Sequence, residues 1–245
     1  MRATVRSTVL CFVLCPGLTG YASTCPADSV QSGPLCVDKF KDSLWYVLAS
    51  DEGLIDQIQM GTVTLDRLLD SDAVQLGLDS GDLAAHGCPI TGNGCVHVYA
   101  VSIRGVTPAR FVTWFQAAAA ARNSLKRLPT NQEWQVAALG TPDGPSCQTP
   151  GNDKCVSDVG AFEMAGINWE WVAEWAGGPG VCGTWPEPFA GDLACFGGVA
   201  GNLPGALMRG GGSEAKAGVF AISSFAPGGA GISFRSVRPD HVEPR

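Results

Sequence analysis

The cysteines are the residues of this chain whose types and spacing say most about chemistry. Cys11 and Cys15 lie near the start, and eight more follow as close couples: Cys25 and Cys36, Cys88 and Cys95, Cys147 and Cys155, Cys182 and Cys195. Thiols in even number, grouped this way, are the pattern of an exported protein held by disulfides. The spacing predicts local loops closed by Cys25–Cys36, Cys88–Cys95, Cys147–Cys155 and Cys182–Cys195. His86, Cys88, Cys95 and His97 also form a mixed imidazole and thiolate set of the kind that suits zinc. Export and the tight polar loop from Pro89 to Gly94 favour a disulfide flanked by two surface histidines over that zinc site. Among other nucleophiles, Ser213 has no histidine or aspartate close by in sequence, which argues against a catalytic serine.

Carboxylates set among tryptophans are the second notable constellation. In Trp169-Glu170-Trp171-Val172-Ala173-Glu174-Trp175, a period of two puts Trp169, Trp171, Ala173 and Trp175 on one face. The glutamates share the other face with Val172, the pattern of a half-buried strand. The tryptophans are core by their size, and a carboxylate beside them needs a partner.

The elements that must position these groups are short. Leu44 to Ala49 and Val96 to Ile103 read as strands, with a short helix at Leu65–Asp70 in an otherwise irregular stretch from 50 to 95. Thr107 followed by Pro108 predicts the start of a helix whose buried stripe is Phe111, Val112, Phe115 and Ala119. Thr130-Asn131-Gln132-Glu133 is a capping box opening a second helix, with Trp134, Ala137 and Ala138 inward and Gly140 as its stop. Val219–Ile222 and Ile232–Val237 read as closing strands, after a long Gly-rich excursion from 176 to 206.

Bulk properties agree with a packed domain. Apolar residues make up 45% and charged residues 16% of the 245. The net charge is −7, or −9 without Arg2 and Arg6, which leaves no electrostatic footprint for nucleic acid. Residues 1–23 read as a secretory signal: Arg2 and Arg6, the apolar run Val9 to Leu14, then small residues with cleavage near Ala22 or Ser23. The expected location is secreted or periplasmic. The alternative, a lipid anchor on Cys25, is poorly served by Ala22-Ser23-Thr24 before it. No stretch is long and apolar enough to suggest a transmembrane span.

Segments in a specific order resemble the formylglycine-generating (sulfatase-modifying factor) family. They are Cys36-Val37-Asp38-Lys39-Phe40, Arg127-Leu128-Pro129-Thr130 with Glu133-Trp134, Phe162-Glu163-Met164-Ala165-Gly166 with Asn168-Trp169-Glu170-Trp171, Leu207-Met208-Arg209-Gly210-Gly211, and Ile232-Ser233-Phe234-Arg235. The resemblance implies an α+β variant of the C-type lectin fold, with short strands, two main helices and long stapled loops. It spans residues 35–238, leaving 239–245 as a tail.

What the resemblance implies for function is divided. Catalytic members oxidise a sulfatase cysteine with dioxygen, using copper bound by two cysteines after the RGGS turn. Here those positions fall near Ala215 and Phe220, and neither side chain can bind a soft metal. The implied structural calcium would be held by Glu163, Gly166, Asn168 and Glu170, with Ile167 standing where the family has asparagine. Arg127, Arg209 and Arg235 are expected to tie loops together, and Glu133 to cap its helix. The expectation is therefore a non-catalytic binding or interaction module for a protein, peptide or glycan ligand, stabilised by calcium and disulfides, with copper not expected. The alternative is a formylglycine-generating oxidase.

Overall fold

The computed structural model describes residues 25–142, 147, 153–166, 168–176, 183–184, 193–194, 205–211, 222–225 and 231–240. The leader, the Cys182 and Cys195 couple, Ile167, Ser213, Ala215 and Phe220 lie outside these residues.

The first half of the chain contains β1 (Ser29–Ser32), β2 (Leu35–Asp38), β3 (Ser43–Tyr46), α1 (Glu52–Met60), α2 (Leu65–Leu69), β4 (Val74–Leu76), α3 (Asp82–Ala85) and β5 (Val98–Val101). The helices α4 (Trp114–Asn123) and α5 (Asn131–Ala138) come next. The rest is β6 (Glu170–Ala176), β7 (Gly183–Thr184), β8 (Leu193–Ala194), β9 (Gly205–Arg209), β10 (Ile222–Phe225), β11 (Ser233–Phe234) and β12 (Val237–Pro239). Among the described residues these strands form three sheets, β1-β2-β12, β4-β3-β5 and β11-β6-β9-β10-β8-β7. The class is α+β, as the short mixed elements predict.

Strand alternation decides how the layers pack. In the β4-β3-β5 sheet, Leu44, Leu76, Val98 and Ala100 face α4, while Trp45, Tyr99 and Val101 face α1 and α2. Ala117, Ala119, Ala120 and Ala121 are buried on α4, and their small side chains let the helix lie close to the sheet. Ser124 at its end accepts the Ala100 amide at 2.8 Å. On the other side, Trp134, Ala137 and Ala138 of α5 pack with Met164, Val172, Leu207 and Val237.

Several expectations need correction. The first long helix starts at Thr113, whose hydroxyl accepts from Gln116 while Gln116 accepts from the Thr113 amide. Thr107-Pro108 does not open it, because the Ala109 and Arg110 amides bond instead to Asp42 and Gly77 carbonyls. A nine-residue α1 crosses the stretch read as irregular, capped by Asp51 and ended by Gly61 in the left-handed region. Of the closing strand expected at Val219–Ile222, only Ile222 lies within the described residues, and the one expected at Ile232–Val237 divides into two short strands, Ser233–Phe234 and Val237–Pro239. The strand β6 is not half-buried at its start: Glu170, Trp171 and Val172 are all fully buried, and only Ala173, Glu174 and Trp175 are half-exposed. α5 matches its expected bounds, with the Thr130 and Glu133 capping box in place and Gly140 at φ +77° beyond it.

Candidate functional site

Glu170 opens β6, and its pairing with Arg209 on one side and Ser233 on the other fixes the backbone. Its carboxylate has no exposed surface. Lys41 Nζ and Arg235 Nη2 (3.2 Å) donate to Oε1, while Trp134 Nε1 (2.8 Å) and Arg235 Nε (3.2 Å) donate to Oε2. The donors come from the β2–β3 connection, from α5 and from the segment between β11 and β12. Arg235 fills the rest of its guanidinium with the Asp38 (2.6 Å), Lys39 (2.9 Å) and Phe162 (2.6 Å) carbonyls. Such a fork joins three segments with geometry an ammonium could not supply. Burial alone would raise the Glu170 carboxyl, but the charges of Arg235 and Lys41 outweigh it and hold it below the ordinary carboxylate range.

Of the other residues expected to bind calcium, Asn168 meets the same Lys41 ammonium, and Glu163 and Gly166 lie in the segment before Asn168. Lys41 Nζ also donates to the Asn168 carbonyl at 3.1 Å. Glu163 is 2% exposed, its φ is +57°, and its charge acts on the Lys41 ammonium. Gly166 has φ +118°, and a Cβ there would fall 2.6 Å from the Cys147 carbonyl oxygen. Its amide donates to the Gly210 carbonyl at 3.0 Å. These donors do not fit a calcium ion, because Lys41 already binds both Asn168 and Glu170. Calcium wants six or more oxygens around itself, whereas here two cationic side chains and an indole N–H converge on one carboxylate. Among the described residues, no three of His, Cys, Asp and Glu group so as to hold a metal ion.

A second buried ionic cluster lies beside the first. Lys126 Nζ is 2.7 Å from both Asp28 Oδ2 and Asp38 Oδ2, and Arg238 Nη2 is 3.1 Å from Asp28. Ser236 donates to Asp42 Oδ2 at 2.5 Å. Burial, with the charges of Asp42 and Asp28 added, pushes the Asp38 carboxyl well up against the pull of Lys126. Burial raises Asp42 as well, so both carboxyls are pushed above the ordinary aspartate range. Asp28 goes the other way, because Lys126 and Arg238 outweigh its burial.

The remaining arginines make contacts inside the fold. Arg127 meets Glu133 with paired bonds of 2.7 and 2.8 Å, and this bond to Arg127 is the main reason the Glu133 carboxyl is lowered. Arg209 Nη1 donates to Asn131 at 2.5 Å, Nη2 donates to Gln135, and its guanidinium stacks 4.6 Å above the Trp134 ring.

Disulfides join Cys25 to Cys36, Cys88 to Cys95 and Cys147 to Cys155. The Cys88 and Cys95 thiols are therefore not zinc ligands, and His86 and His97 instead lean on Tyr46, with centroids at 5.3 and 6.1 Å. The Cys25 sulfur, bonded to Cys36, is not available to carry a lipid. Disulfides in this number mark a chain that matures in an oxidising compartment. Among the described residues, no helix is long and apolar enough to cross a membrane.

Sequence reasoning singled out Glu170 and Arg235 but missed Lys41, Asp38, Asp42, Lys126 and Arg238. A signal was present: Asp38, Lys41 and Asp42 sit between two apolar strand segments, where solvated charges are out of place.

Comparison with known proteins gives one family and one set of partial structural likenesses. The sequence model of the family described as sulfatase-modifying factor enzyme 1-like domain matches residues 54–153. No curated protein matches. The chain is similar to solved structures of the Major Tropism Determinant P3c variant, at 22% identity and TM-score 0.36. The I1 variant follows at 21% and 0.37. In both, the match covers 52% of this chain and 38% of the other, so this chain spans well under half the length of those proteins. Residues 54–153 are thus similar to the sulfatase-modifying factor enzyme 1-like domain.

Proposed function

We propose that this chain is an exported, non-catalytic binding module built on a sulfatase-modifying-factor fold. The observation that carries this reading is the state of the thiols. The six described cysteines are all in disulfides, and no cysteine follows Cys195 in the sequence. Oxidation of a substrate cysteine through copper needs free thiolates after the Gly210-Gly211 turn, where the two positions fall near Ala215 and Phe220 instead. The buried ion pairs and disulfides supply a rigid base, and the Gly-rich sequence from Gly210 to Gly231 is the stretch proposed to display a surface for a protein, peptide or glycan ligand. Secretion or periplasmic export is part of the proposal and agrees with the disulfides.

The competing reading is a formylglycine-generating oxidase, and oxygen consumption separates the two. Purified protein, supplied with copper and a cysteine-containing peptide, is expected to consume no oxygen above the copper-and-peptide control. Uptake that depends on the protein, with formylglycine found in the peptide by mass spectrometry, would establish the oxidase instead.

A further inference from the structure

We propose that the Lys41 ammonium is a built-in replacement for a divalent cation: tethered from the β2–β3 connection, it joins the Asn168 carbonyl to the Glu170 carboxylate. The geometry is specific. Nζ donates to the Asn168 carbonyl at 3.1 Å and to the Glu170 carboxylate, so it touches two of the groups a calcium ion would need. The Glu163 carboxylate lies close enough for its charge to act on the same ammonium. Lys41 has no exposed side-chain surface and is not free to swing out. Its backbone is pinned on both sides, because the Phe40 amide donates to Ser102 Oγ at 3.0 Å and the Asp42 amide to the Phe234 carbonyl at 3.0 Å.

Charge balance points the same way. Among the described residues, the Glu170 carboxylate already meets the Lys41 ammonium and the Arg235 guanidinium, so its charge is compensated without a metal. A calcium ion added to it would leave an uncompensated double charge out of contact with water, the arrangement interiors avoid most strongly. An ammonium has only three donors and accepts the few oxygens found here, whereas calcium demands more. The fold should therefore hold its shape without calcium and ignore chelators.

Thermal unfolding of the full chain tests this. Wild-type protein is expected to melt at the same temperature in excess chelator and in millimolar calcium. A melt lowered by chelator and restored by calcium would overturn the proposal. Lys41→Ala is expected to lower the melting temperature by roughly 10 °C, in keeping with the loss of one partner from a buried ion pair in a chain of this size. It is also expected to recover part of that loss in calcium but not in sodium at equal ionic strength. A Lys41→Ala melt equal to wild type, or one blind to calcium, would also overturn the proposal. If this variant does not fold, the wild-type melts alone decide.

Discussion

At the scale of single residues, the charged groups fall into those the aromatic context announces and those it does not. Glu170 stands out in the sequence because it sits between Trp169 and Trp171. Its partners do not, because Lys41 and Arg235 are 129 and 65 residues away and only folding brings them to it. Asp38 and Asp42 show how such burial becomes a property that can be measured. Their Oδ1 atoms are buried without a hydrogen-bond partner, and burial raises both carboxyls. A carboxyl raised above its ordinary value of 3.8 binds its proton more tightly when folded. It contributes stability at acid pH that is lost as pH rises through the raised value. Asp42→Asn removes one of the two raised carboxyls. The variant is expected to flatten the decline of unfolding free energy with rising pH by up to about 1.4 kcal/mol per pH unit, the slope for one proton. Denaturant titrations across the acid-to-neutral range give the measurement, and an unchanged slope would count against a raised Asp42.

At the scale of elements, local capping chemistry was readable where it stood alone and misread where two starts competed. Thr130 and Glu133 satisfy each other's backbone groups, and α5 begins where they place it. Thr107-Pro108 has the same outward signs, yet Thr113 and Gln116 form the box that the structure uses, because residues 109 and 110 are needed for bonds to Asp42 and Gly77. Close approach between elements could not be read at all. Gly210, at φ +69°, lies where a Cβ would come within 2.1 Å of the Met164 carbonyl oxygen and 2.7 Å of the Trp134 ring. The turn after β9 is therefore clamped between the α5 tryptophan and the segment that leads into β6. Gly210→Ala combines a left-handed backbone with overpacking and is expected to cost about 3 kcal/mol or more. A loss below about 1 kcal/mol in urea unfolding, within the range of ordinary surface changes, would show that the turn can relax away from Trp134.

At the scale of the whole molecule, the two ends of the described chain close on each other. β12 pairs with β2, Arg127 and Val237 exchange backbone bonds, and Cys25–Cys36 staples the first hairpin. The residues of this closure, Asp28, Asp38, Lys126 and Arg238, form the buried cluster next to Glu170. The order of the motifs along the sequence made the fold class legible, since each motif marks a turn or strand. It did not reveal which groups meet the buried Glu170 carboxylate, because that depends on side chains converging from distant segments. Among the described residues, the buried Glu170 and Asp38 carboxylates are served by the chain's own cations, and the thiols are closed in disulfides. Elemental analysis of the purified full chain, with calcium and copper quantified together after dialysis, tests this most directly. Far less than one equivalent of either metal is the predicted result, and stoichiometric calcium or copper would contradict it.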